Sequence, residues 1–78
     1  MTTHVLDTIG LRCPIPIIKM AKMAATLQPG DDIDIVSSDP AAEYDIVSWA
    51  RMKGHRCSDP VFTDDPWSVR YTVTITRT

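Results

Sequence analysis

The chain has 78 residues, 44% of them apolar and 23% charged, with a formal net charge of −2 and a pI near 5.4. This length holds one domain, residues 1 to 78, and a chain so short buries only about 60% of its unfolded surface, which excludes a deep, enclosed substrate cavity. No basic excess marks a general nucleic-acid binder, no stretch approaches the ~20 apolar residues of a membrane span, and no leader segment is recognisable, so the expected location is the cytoplasm.

Residues 3 to 9, rich in Val, Leu, Thr and Ile and closed by Gly10, predict a strand. Ile17, Met20, Ala21, Ala24 and Leu27 recur at spacings of three and four, the stripe of an amphipathic helix, which Pro29-Gly30 ends. Residues 32 to 36 alternate, Ile33 and Ile35 against Asp32 and Asp34, as a half-buried strand does. Asp39-Pro40 reads as an N-cap followed by proline at the first helical position. Ala42, Ile46, Trp49 and Ala50 supply the stripe of this second helix, and Gly54 its end. Residues 55 to 63 form a weaker strand, which Pro60 assigns to a sheet edge because it cannot donate to a ladder. A hairpin at residues 63 to 66 leads into the last strand. There Trp67, Val69, Tyr71, Val73 and Ile75 face one way and Ser68, Arg70, Thr72, Thr74 and Thr76 the other, with core the expected place for Trp67.

The order β-α-β-α-β-β, with two right-handed crossovers in one direction, predicts an α+β two-layer sandwich. Its four-stranded mixed sheet has the order 1-2-4-3, and both helices cover one face. The turns at residues 10 to 13 and 37 to 39 and the 63 to 66 hairpin then open on one edge. His4, Gly30, His55 and Cys57 fall on the opposite edge, about 17–20 Å away.

Two cysteines 44 positions apart, neither in a C-x-x-C pair, point to a reducing interior rather than a disulfide framework. Cys13 precedes Pro14-Ile15-Pro16, two prolines that fix a helix start where backbone N–H groups lack intrahelical partners. The helix dipole, the free amides of Ile15 and Ile17 and the adjacent Arg12 predict a thiol pKa below about 8.5. Cys57, on a plain strand, reads as structural. Neither histidine reaches Cys13 as a base, a Cys13–Cys57 disulfide is too long, and no His and Cys grouping suits a metal. No cofactor is expected either. A nucleophilic thiol without base, metal or cofactor is a poor stand-alone catalyst but suits a carrier that accepts sulfur and passes it on.

Charge is uneven. Residues 31 to 50 carry Asp31, Asp32, Asp34, Asp39, Glu43 and Asp45 with no base, whereas Arg12, Lys19 and Lys22 make the first thirty residues net basic. These three cations are candidates for a partner-docking collar around Cys13, and Asp39 is read as a helix cap.

The stretch from Leu6 to Pro16, with Cys-Pro-x-Pro after an Asp-x-x-Gly-Leu turn, resembles the signature of the TusA-like (SirA-like) sulfur-carrier family. Gln28-Pro29-Gly30-Asp31 and Ser38-Asp39-Pro40-Ala41 match that family's turns, so the likeness covers essentially the whole chain. It implies the same sandwich, with Cys13 bearing a persulfide, Gly10 permitting the turn and Pro14 and Pro16 shaping the site. The partners implied are a donor protein, a cysteine desulfurase or rhodanese, and an acceptor protein, met transiently by a monomer. Ile15 stands where tRNA-thiolation members commonly carry an acid, and the pathway stays open among tRNA thiolation, sulfur oxidation and related routes. Two rival readings are a regulatory or RNA-binding module, which would need a basic aromatic sheet face, and a redox-sensing thiol, which would need a resolving cysteine nearby.

Overall fold

The computed structural model describes residues 2 to 76. Strands β1 (Thr3–Thr8) and β2 (Asp32–Ser37) are joined through helix α1 (Ile15–Ala24), and helix α2 (Ala42–Lys53) leads to β3 (Arg56–Cys57), β4 (Val61–Thr63) and β5 (Ser68–Thr74). β1 pairs parallel with β2, while β5 lies antiparallel to β2 on one side and to β3 and β4 on the other. The sandwich holds, but the sheet has five strands rather than the expected four, in the order β1-β2-β5-β3 with β4 also on β5; the expected order 1-2-4-3 holds in part, because β3 and β4 divide the place of the third strand.

That third strand is the main departure from expectation. Cys57 faces Val73 and Val61 faces Arg70, so four steps along this strand run against three along β5. The extra residue falls in Ser58-Asp59-Pro60 and makes a bulge, where proline's missing N–H leaves no ladder bond unmade. Ser58 spans the gap. Its N–H donates to the Thr72 carbonyl at 2.9 Å, and its hydroxyl accepts from the Thr72 N–H at 2.9 Å. Without the bulge, the residues beyond it would turn to the wrong face of the sheet.

The helices also differ at their ends. α1 stops at Ala24 rather than running to Pro29, because the Thr26 and Leu27 amides bond Met23 and Ala24 one residue short of α-helical spacing and the Thr26 hydroxyl bonds Met23. Leu27 is nevertheless buried. Regular α2 begins at Ala42, two residues beyond Pro40, after a tight turn in which the Ala42 amide bonds the Asp39 carbonyl. It ends as expected at Gly54, in the left-handed conformation (φ 78°) that a side chain disfavours.

The core lies between the sheet and both helices. Ile33, Ile35, Val69, Tyr71 and Val73 meet Met20, Ile46, Trp49 and Ala50, all buried. Trp67 is half-buried against this cluster and tilts on Phe62, with ring centres 6.1 Å apart. The Tyr71 hydroxyl donates to the Glu43 carbonyl of α2 at 2.8 Å, so the largest buried side chain of β5 also has its polar atom satisfied. The other face of the sheet is open, and there Arg70 Nε stands 3.5 Å from Asp34 Oδ1. No helix among the described residues is long and apolar enough to cross a membrane.

Truncating the sheet centre by Ile35→Ala should cost about 2–5 kcal/mol, whereas Tyr71→Phe should cost about 1 kcal/mol. Both should appear in urea denaturation as shifted midpoints at unchanged slope.

Candidate functional site

The parallel pairing of β1 with β2 sets Thr8 beside Ser37, so the two turns that leave these strands start side by side. In the first, Gly10 takes φ 84°, a backbone conformation that other residues rarely adopt, while the Leu11 amide closes on the Thr8 carbonyl at 3.1 Å. The second turn holds the first through side chains. The Ser38 hydroxyl accepts from the Gly10 N–H at 2.8 Å, and Asp39 Oδ2 accepts from the Cys13 N–H at 2.6 Å. Asp39 Oδ1 accepts from the Ala41 N–H at 3.0 Å within the turn that precedes α2; the N-cap of that helix is Ala41 rather than the expected Asp39, because this turn intervenes before regular helix begins. One carboxylate thus ties the cysteine's backbone to the turn that leads into α2.

Cys13 is exposed, and its peptide bond to Pro14 is cis. Pro14 caps α1, and Pro16 sits buried in its first turn, as the sequence implied for a fixed helix start. The thiol's electrostatics are the reverse of the expectation. Cys13 Sγ donates to Asp45 Oδ2 at 3.2 Å, and this bond, followed by slight burial and the negative charges of Asp45 and Asp39, raises the thiol pKa above its ordinary value. A carboxylate that accepts the S–H proton stabilises the thiol and repels the thiolate. The Ile15 amide, counted on to favour a thiolate, is taken by the Arg12 carbonyl at 2.8 Å. Asp39 is pushed the other way, below its ordinary value, by the N–H groups of Cys13 and Ala41 and by the Arg12 guanidinium.

Of the three candidate docking cations, Arg12 adjoins the site. Lys19 and Lys22 lie exposed along α1, about 6 and 10 Å beyond its first residue at a rise of about 1.5 Å per residue. Cys57 is half-buried against the core, with its pKa raised by burial and then by Asp59. It pairs with Val73 near the far edge, four strand residues or about 13 Å from the level of Val69 and Ser37. A bridge to Cys13 is out of reach. Groups of His, Cys, Asp or Glu able to hold a metal are absent among the described residues. A shallow groove of 160 Å³ lies away from the thiol on the open sheet face, lined by Val36, Val61, Thr63, Ser68 and Arg70.

The family model for sulfurtransferase TusA matches residues 4–74. The chain belongs to the TusA family. That membership indicates a sulfurtransferase or sulfur-carrier role, exercised in relay with partner proteins. The crystal structure of a SirA-like protein from Desulfitobacterium hafniense superposes with a TM-score of 0.80 at 22% identity, covering 99% of this chain and 100% of that one. At that identity the likeness concerns the fold, and it agrees with the sandwich described above.

Sequence reasoning missed Asp45, and with it the carboxylate that sits on the thiol of this TusA-family chain. The signal was available in principle: two parallel crossovers bring both helix starts to one edge, and Asp45 lies in the first turn of α2.

The lowered pKa of Asp39 predicts a contribution to stability that is complete above the ordinary value of 3.8 and is lost as the pH falls through the lower folded value. Acid unfolding followed by circular dichroism should therefore show a shallower acid limb for Asp39→Asn than for the wild type.

Proposed function

We propose that this protein is a sulfur carrier that holds sulfur as a persulfide on Cys13. The observation that carries this reading is an exposed thiol at a helix start, mounted on two turns that hydrogen-bond each other. Such a thiol meets its reactants at the protein surface, so the other half of each reaction belongs to another protein.

Cys13 takes the outer sulfur of a persulfide on a donor, a cysteine desulfurase or rhodanese, and delivers it to an acceptor protein. Gly10, Pro14 and Pro16 shape the mount, and Arg12, Lys19 and Lys22 contribute to docking. Ile9, Ile15 and Tyr44, in the segments at the same edge, expose 49%, 41% and 70% of their surface and supply apolar rim for brief contacts. The protein acts as a monomer in the cytoplasm, as a single domain without cofactor. Among the described residues, the open sheet face mixes Asp34, Arg70 and threonines and offers no basic aromatic platform, which favours protein over RNA as partner.

Incubation with a cysteine desulfurase and cysteine should add the mass of one sulfur atom, removable by reductant, in the wild type and in Cys57→Ala but not in Cys13→Ala. Intact-mass spectrometry reads this directly. A gain that persists without Cys13, or no gain from either the desulfurase or rhodanese with thiosulfate, overturns the reading.

A further inference from the structure

Asp39 and Asp45 both act on Cys13, yet they stand in different states. Asp39 is engaged by two backbone N–H groups and by the Arg12 charge. Among the described residues, the Asp45 carboxylate takes one hydrogen bond, from the thiol, and no cation lies within ion-pairing distance of it. It belongs to the stretch of residues 31 to 50 that carries six acids and no base. An unpaired carboxylate holding the S–H of the reacting atom is an odd feature for a thiol that must act as a nucleophile, because the thiolate is the attacking form.

We propose that Asp45 is a latch on the Cys13 thiol, closed in the free protein and opened when a lysine or arginine of the sulfur-donor protein pairs with the Asp45 carboxylate. The proposal rests on the carrier reading above. A cation seated on Asp45 takes over its lone pairs and cancels the repulsion that Asp45 exerts on a thiolate, leaving Asp39, already offset by Arg12, as the other charge facing the sulfur. Arginine suits the place best, since its planar fork binds a carboxylate through two N–H groups.

The transfer is then balanced. The Cys13 sulfur bonds to the outer sulfur of the donor persulfide, and the donor's S–S bond breaks with its electron pair going to the donor cysteine. That cysteine takes up the proton Cys13 has given up, and the transferred sulfur keeps its oxidation level. The closed latch also keeps a surface thiol poorly reactive toward peroxides and stray electrophiles between encounters.

Iodoacetamide alkylation of Cys13 at neutral pH, in a Cys57→Ala background, reads the latch without any donor. Asp45→Asn should raise the alkylation rate roughly threefold or more and shift the thiolate absorbance titration to lower pH. An unchanged or slower rate, in a variant with wild-type circular dichroism, overturns the latch. With Asp45 intact, an oligoarginine peptide should accelerate alkylation in a manner abolished by salt, and should not do so in Asp45→Asn. Equal acceleration in both overturns the assignment to Asp45. The carrier reading is judged separately by sulfur loading from the desulfurase. Failure to load, with the alkylation results intact, overturns the donor's part and the carrier reading together, whereas normal loading with no alkylation effect removes the latch alone.

Discussion

The parallel, in-register pairing of β1 with β2 is the constraint on which the site depends. It sets Thr8 next to Ser37, so two turns 26 to 28 residues apart in the chain leave the sheet within hydrogen-bond reach of each other. Within the first turn the Gly10 and Cys13 N–H groups find no partner of their own, since both residues precede any regular helix. Ser38 and Asp39 supply one to each. The thiol's position is therefore set by the sheet and does not depend on the α1 helix start alone.

The same arrangement brings the first turn of α2 against Cys13 and so determines its proton affinity. A helix N-terminus favours an anion, but that influence is diffuse, whereas a carboxylate 3.2 Å from sulfur acts at full contact. Local hydrogen bonding sets the direction of the shift here. The molecule thereby separates two properties commonly found together in reactive cysteines, exposure and thiolate character.

Much of this was legible in the chain itself. Period-two alternation in β2 and β5 and Gly54 mark those elements, and Pro60 marks the sheet edge, because each feature is a local requirement of backbone or burial, whereas Pro29-Gly30 overshoots the end of α1 at Ala24. The bulge at Ser58-Asp59-Pro60 was not legible beyond a weak strand, since it depends on which side chain of β5 each neighbour must face. Cys13, Gly10 and the prolines stand out through a compact motif, whereas Asp39-Pro40 suggests a helix cap two residues ahead of the actual one, Ala41. The Asp39 bond to the Cys13 backbone spans 26 residues and the Asp45 contact spans 32, and neither leaves a mark at short range. The direction of the Cys13 pKa was misread for that reason. The sequence neighbour of the thiol is Arg12, but the neighbour that governs it comes from the other helix.

The edge opposite Cys13 carries a knot of its own. Asp31 accepts from the Thr2 and Gln28 amides at 3.0 Å each, its carbonyl accepts from Ile75, and the Gly30 amide bonds the Ile75 carbonyl. The first strand therefore enters and the last strand leaves at the same place, about a strand length from the thiol. Chain led off from Thr2 or Ile75 would start behind the reacting surface. Tethering this unit to an enzyme would leave Cys13 facing outward on a short arm, and the local concentration of its sulfur would be raised without occluding it.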